Sequence, residues 1–205
     1  MSCMMKRTLL ALPLLLATAA SPALADAIPL AKLSAYINEL TTAQATFTQI
    51  NPDGSGSKGL LIIKRPGRMR FEYTKPDNTV VLASGGQVAI FDAKSNQPPE
   101  QYPLAKTPLN LVLAPKVNLE QSGMVVDHAE EGKLTVVTAQ DPKHPEVGTI
   151  ALGFSDNPIE LRQWIVTDET GGQTTVLLDE LKTGEAYAPS TFIIDDEIAR
   201  RKKKN

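Results

Sequence analysis

The chain has 205 residues, 42% hydrophobic, 21% charged and 5% aromatic, with 13 glycines and 15 prolines. This is the make-up of one ordinary globular domain; it excludes collagen-like, disulfide-scaffold and strongly disordered chains. The 21 basic and 23 acidic side chains give a formal net charge of −2, so no basic excess marks a nucleic-acid binder.

The first element is a leader. Lys6-Arg7 is followed by the apolar run 8–20 and by Ala23-Leu24-Ala25, an A-x-A cleavage signature, so residues 1–25 are predicted to be a secretory signal peptide. A membrane anchor is the rival reading, but spanning a bilayer takes about 20 apolar residues, and this run is shorter and ends in small side chains. Cleavage after Ala25 removes Cys3, the sole cysteine, and leaves a chain with 19 basic and 23 acidic groups. Disulfides, thiolate metal sites and a cysteine nucleophile then drop out. The mature chain carries no cysteine for lipid attachment and is expected to be soluble and extracytoplasmic.

In the mature chain, Ile28, Leu30, Leu33, Tyr36, Ile37 and Leu40 recur at three- and four-residue spacing, the stripe of an amphipathic helix. Residues 41–50 alternate as a half-buried strand and are followed by a turn cluster, 51–56. Strands are predicted at 59–65, 68–73, 78–83 and 87–92; such tight spacing favours antiparallel hairpins. Residues 93–103 read as a polar, proline-bearing loop. Residues 107–115 read as a one- or two-turn helix, with Thr107 as cap and Pro108 at the first helical position. Strand spacing returns at 124–129, 133–139, 148–154, 159–167 and 173–181. About ten or eleven strands with two or three short helices make a meander that must curl wholly or partly into a barrel. Residues 26–195 form a single domain. Residues 196–205, with the run Arg200-Arg201-Lys202-Lys203-Lys204, read as a charged, solvated and flexible tail, although a basic end can also attract anionic lipid.

Signs of catalysis are missing. His128 and His144 sit in no metal-spaced cluster, residues 54–57 have the wrong spacing for a nucleophile elbow, and no phosphate-binding glycine loop appears. No catalytic residue, cofactor or metal is expected, and the chain is read as a non-enzyme.

Four stretches carry a resemblance: Phe47-Thr48-Gln49; Gly59-Leu60-Leu61-Ile62-Ile63-Lys64-Arg65-Pro66 continued by Met69-Arg70-Phe71-Glu72-Tyr73-Thr74-Lys75-Pro76; Ser84-Gly85-Gly86-Gln87-Val88-Ala89-Ile90-Phe91-Asp92; and Thr107-Pro108-Leu109. In that order, after a leader and one helix, the chain resembles the LolA family of periplasmic outer-membrane lipoprotein carriers, from about Leu33 to Ile194. The family usually has Asp-Gly where this chain has Gly85-Gly86, and often Trp in place of Ala89. The resemblance implies a half-open antiparallel barrel with a helical lid over an apolar cavity. It further implies a monomer in the periplasm that takes triacylated lipoproteins from the inner-membrane ABC transporter LolCDE and delivers them to the outer-membrane receptor LolB. An alternative is a sensor of the same fold that handles free lipid or glycolipid.

Alternation puts Ala45 with Phe47, Leu61 with Ile63 and Arg65, and Met69 with Phe71 and Tyr73. These faces are expected to line an apolar and only partly filled cavity, with Leu33, Ile37, Leu40, Leu109, Val112 and Leu113 in the lid. For each of them ordinary core packing is the competing reading. Arg65 shares the inward parity. The resemblance gives it hydrogen bonds to the lid backbone that hold the lid closed; the alternative is a strand-end arginine that reaches water.

Overall fold

A computed structural model describes residues 27–95 and 97–204; the predicted leader lies outside the described residues. The elements are α1 (Leu30–Glu39), β1 (Thr42–Ile50), β2 (Gly56–Lys64), β3 (Arg68–Tyr73), β4 (Val80–Ser84), β5 (Gln87–Phe91), β6 (Glu100–Pro103), α2 (Leu109–Leu113), β7 (Val125–Glu131), β8 (Leu134–Gln140), β9 (Thr149–Ser155), β10 (Glu160–Thr167), β11 (Gln173–Leu178), β12 (Lys182–Thr183) and α3 (Ile194–Lys204). The 12 strands form one sheet in the order β6-β5-β4-β3-β2-β1-β11-β10-β9-β8-β7, with β12 beside β1. Every strand predicted from the sequence is present, and neighbours pair antiparallel. The sheet does not close: β6 and β7 are its two ends.

Its curl follows from one distance. Phe71 on β3 and Trp164 on β10 are four strand steps apart, about 19 Å across a flat sheet. Their ring centroids are 6.2 Å apart at 80°, so the two halves face each other. Gly59 assists at the centre. It lies in register with Phe47 and Tyr73, and a Cβ there would stand 2.8 Å from the Phe47 ring and 2.1 Å from the Glu72 carbonyl oxygen. Gly59→Ala must therefore push the β3 backbone or the Phe47 ring aside. A loss of about 2–3 kcal/mol, as for other overpacked cores, is expected in urea unfolding.

Three expectations need correction. Residues 93–103 are not wholly a loop: β6 pairs with β5, and its Pro103 is tolerated because β6 is an edge strand. Thr107 does not cap α2; its hydroxyl donates back to the Leu104 carbonyl at 2.9 Å, and Pro108 holds the cap position. The charged end is not a free tail but helix α3, seated on the convex face of the sheet.

That convex face has its own core: Ile62, Val80, Leu82, Ala89, Phe91 and Phe192, with Ile194 and Ile198 packed against it. Arg70, 6% exposed, stands on the same face in register with Ile62 and Leu82. Its guanidinium meets Glu197 of α3 at 2.9 Å and Glu72 at 2.5 Å, and donates to the Thr191 carbonyl. Arg200 and Arg201 complete the cage around Glu197 at 2.7 and 2.9 Å, and Arg201 also lies over the Phe91 ring. Acidic residues in the first turn of α3 also suit the helix dipole.

Burial pushes the Glu197 carboxyl up, but the Arg201 hydrogen bond and the charges of Arg70 and Arg200 outweigh it and hold the group below its ordinary 4.5. A depressed carboxylate stabilises the fold above its unfolded value, and that contribution fades as pH falls through the folded one. Melting temperature is thus expected to fall on acidification below about pH 4.5. In Glu197→Gln the melting temperature at pH 6 should be lower and this acid-dependent component reduced.

Candidate functional site

The concave face is built by register. Ala43, Ile63 and Met69 stand in one row across β1, β2 and β3; Ala45, Leu61 and Phe71 in the next; Phe47, Gly59 and Tyr73 in the third. The rows end in an aromatic group, with Phe47 edge-on to Phe71 at 5.2 Å and to Tyr73 at 5.1 Å. The Tyr73 hydroxyl donates to Gln49 Oε1 at 2.6 Å. Burial outweighs the opposing Gln49 hydrogen bond and pushes its pKa up to about 12, so Tyr73 stays neutral.

Helices α1 and α2 and residues 114–119 cover this face. Leu33, Ile37, Leu40, Val112 and Leu113 are buried in the same cluster as Ala45, Phe47, Leu61, Ile63, Met69 and Phe71, and Leu109 and Tyr73 pack half-buried against it. Helix α1 is tied at its start, where the Ile28 amide donates to Thr135 Oγ1 and its carbonyl meets His128 Nε2, both at 3.0 Å. One turn before its end, the Tyr36 hydroxyl accepts from the Leu161 amide, and the Tyr36 ring stands edge-on to Phe154.

Arg65 is 8% exposed. It lies just beyond β2, where its own amide donates to the Thr41 carbonyl. Its Nη1 donates to the Ile37 carbonyl of α1, and its Nη2 to the Ala114 carbonyl beyond α2 at 2.7 Å. Both acceptors belong to helix ends, where the last carbonyls have no partner within the helix. Two residues on, Gly67 adopts a φ of +69°, open to glycine at little cost, and its amide donates to Leu113 O at 2.9 Å. One turn of the chain therefore grips both lid helices. The grip is incomplete: Arg65 Nε is buried with no partner among the described residues, and desolvation lowers the guanidinium's pKa.

The interior differs from expectation in one respect. It is filled rather than partly empty: its side chains are buried against one another, and a void of about 10 Å³ lies between Ile37, Leu111, Val117, Leu119, Ala139 and Leu152. Bare apolar walls cost about 25 cal/mol for each Å² left to water, so walls and lid close on each other. A much larger hollow, about 1030 Å³, lies on the convex face beside α3, lined by polar groups such as Arg70, Glu72, Lys75 and Lys202 as well as Phe91; it is separate from the apolar interior.

Leu152, Phe154, Trp164, Val176 and Leu178, from the C-terminal half of the sheet, share the concave core. The expected set named only the N-terminal half. For Trp164 the signal was obscured, because the register shifts between Leu161 and Gln163 and both Leu161 and Trp164 turn inward at odd spacing. Among the described residues no group of three or more His, Cys, Asp or Glu side chains converges, and no helix is long and apolar enough to cross a membrane.

A family model described as outer membrane lipoprotein carrier protein LolA matches residues 38–195. An outer-membrane lipoprotein carrier protein of Methylococcus capsulatus is 30% identical over 197 residues, 91% of this chain and 91% of that protein. One from Chromobacterium violaceum is 29% identical over 180 residues, 84% and 85% of the two chains. The crystal structure of a putative outer membrane lipoprotein-sorting protein domain from Vibrio parahaemolyticus covers 81% of this chain and 95% of its own, at 10% identity and a TM-score of 0.48.

Proposed function

Because the chain belongs to the LolA family of outer-membrane lipoprotein carrier proteins, we propose that it works in the periplasm, taking triacylated lipoproteins from an inner-membrane LolCDE-type transporter and passing them to a LolB-type acceptor. The acyl chains occupy the space between the concave face and the lid. Ala45, Phe47, Leu61, Ile63, Met69, Phe71 and Tyr73 form one wall, and Leu33, Ile37, Leu40, Leu109, Val112 and Leu113 form the displaced cover.

The need is physical. Burial of a CH₂ is worth about 0.8 kcal/mol, so three chains of roughly 16 carbons bared to water would cost about 35–40 kcal/mol. The observation that carries the reading is that an apolar lid and an apolar wall meet in one cluster, closed by a few hydrogen bonds among which those of Arg65 link α1 to the end of α2. Such a closure is strong enough to hide the walls when empty and weak enough to yield to cargo. Handover without nucleotide then requires an acceptor that binds the cargo better.

Depleting the protein from its host tests this. Lipoproteins destined for the outer membrane are expected to accumulate in the inner membrane, and protein purified from the periplasm to carry triacylated polypeptide in mass spectra. Normal lipoprotein sorting in depleted cells would overturn the proposal.

A further inference from the structure

A second fastening holds the lid, and it involves side chains on which the sequence pattern drew no attention. On α1, Ser34 and Asn38 stand one turn apart on the same face. Asn38 Nδ2 donates to the Val117 carbonyl at 2.8 Å, and Asn38 Oδ1 accepts from the Val117 amide at 2.9 Å. Ser34 Oγ, itself buried, accepts from the Leu119 amide at 2.9 Å. The spacing fits: four helical residues rise about 6 Å, close to the roughly 6.6 Å that two residues of extended chain cover. The asparagine amide thus replaces a strand neighbour for a stretch that has none.

Val117 and Leu119 are buried, and with Ile37 they border the small void beneath the lid. That void lies directly behind this hook. Arg65 fastens the same two pieces as well, through Ile37 and Ala114. The whole connection 114–119 is therefore laced to α1 by side chains, with no backbone ladder between them.

We propose that the seam between α1 and residues 117–119 is the mouth through which acyl chains reach the interior, and that Asn38, assisted by Ser34, is its latch. The inference rests on the carrier reading above. Asn38 acts as a positioning residue: it touches no cargo but sets how readily the seam parts.

The test uses the full mature chain and a synthetic triacylated lipopeptide, with acrylamide quenching of Trp164, the only tryptophan, as a monitor of opening. Losing a reciprocal pair of hydrogen bonds should raise the uptake rate of Asn38→Ala by about tenfold and expose Trp164 to quencher, with Arg65 untouched. A variant with a lower melting temperature but an unchanged uptake rate overturns the assignment. The converse experiment joins Asn38→Cys to Val117→Cys, by oxidation or with a short thiol-reactive linker, in a mature chain otherwise free of cysteine. The bridged form should load at least tenfold more slowly than the unbridged form. Equal loading of the two forms overturns the seam while leaving the carrier reading intact; an unmodified protein that takes up no lipopeptide overturns the carrier reading itself.

Discussion

Arg65→Leu is expected to accept lipoprotein at least as readily as the parent protein and to fail at handing it on. The leucine removes both hydrogen bonds to the lid, from Nη1 to the Ile37 carbonyl and from Nη2 to the Ala114 carbonyl. Hydrogen bonds from a charged donor contribute about 1.5–3 kcal/mol each. Part of that is offset here, because the guanidinium is desolvated and its Nε unpartnered. A net loss of about 1–3 kcal/mol moves the balance between closed and open lids roughly 5- to 150-fold toward open. Cargo is then held by a form that gains little from closing, so transfer to the acceptor should drop at least tenfold while loading persists. A purified donor–carrier–acceptor relay measures both steps. Normal transfer would remove Arg65 from the mechanism. The Gly67–Leu113 bond remains in the variant, so the fold itself is expected to survive.

Arg70→Ala is expected to have the largest effect on stability. The substitution leaves Glu197 buried without its partner on β3, although Arg200 and Arg201 still reach it. Breaking a buried pair from one side costs about 3–5 kcal/mol, and the remaining arginines place this case at the lower end, about 3 kcal/mol. Helix α3 should loosen first, baring Ile62, Leu82 and Phe91. Hydrogen exchange should show protection lost over α3 before the sheet, and trypsin should cleave at Arg200 and Arg201 under conditions in which the parent chain is intact. An α3 as protected as in the parent would show that the apolar contacts of Ile194 and Ile198 suffice without the ion pair.

The sequence revealed the N-terminal half of the wall and the helices over it, but not the C-terminal half. Strict alternation in β1 and β3 assigned Phe47, Met69 and Phe71 to one face without any knowledge of partners. The apolar set of α1 and α2 likewise joined that same cluster. Alternation fails where the backbone breaks it, which hid Trp164 behind the register shift in β10. Charge counting fails where a partner lies far along the chain. Glu197 among five basic residues reads as a solvated end until Arg70, 127 residues earlier, is brought to it by the sheet. One local sign of α3's seat was present: Leu60-Leu61-Ile62-Ile63 is an unbroken apolar run, as expected of a strand covered on both sides. The state of the interior was beyond pattern reading, since periodicity tells which side chains face one another but not whether they touch.

A self-filled interior also bears on how many copies a cell can hold. An unloaded chain keeps its greasy wall against its own cover, and among the described residues only Ile50, Val126, Leu177 and Ile193 stand out as large exposed apolar side chains. Idle molecules therefore offer one another little to stick to, and a standing surplus over cargo can be stockpiled without clumping.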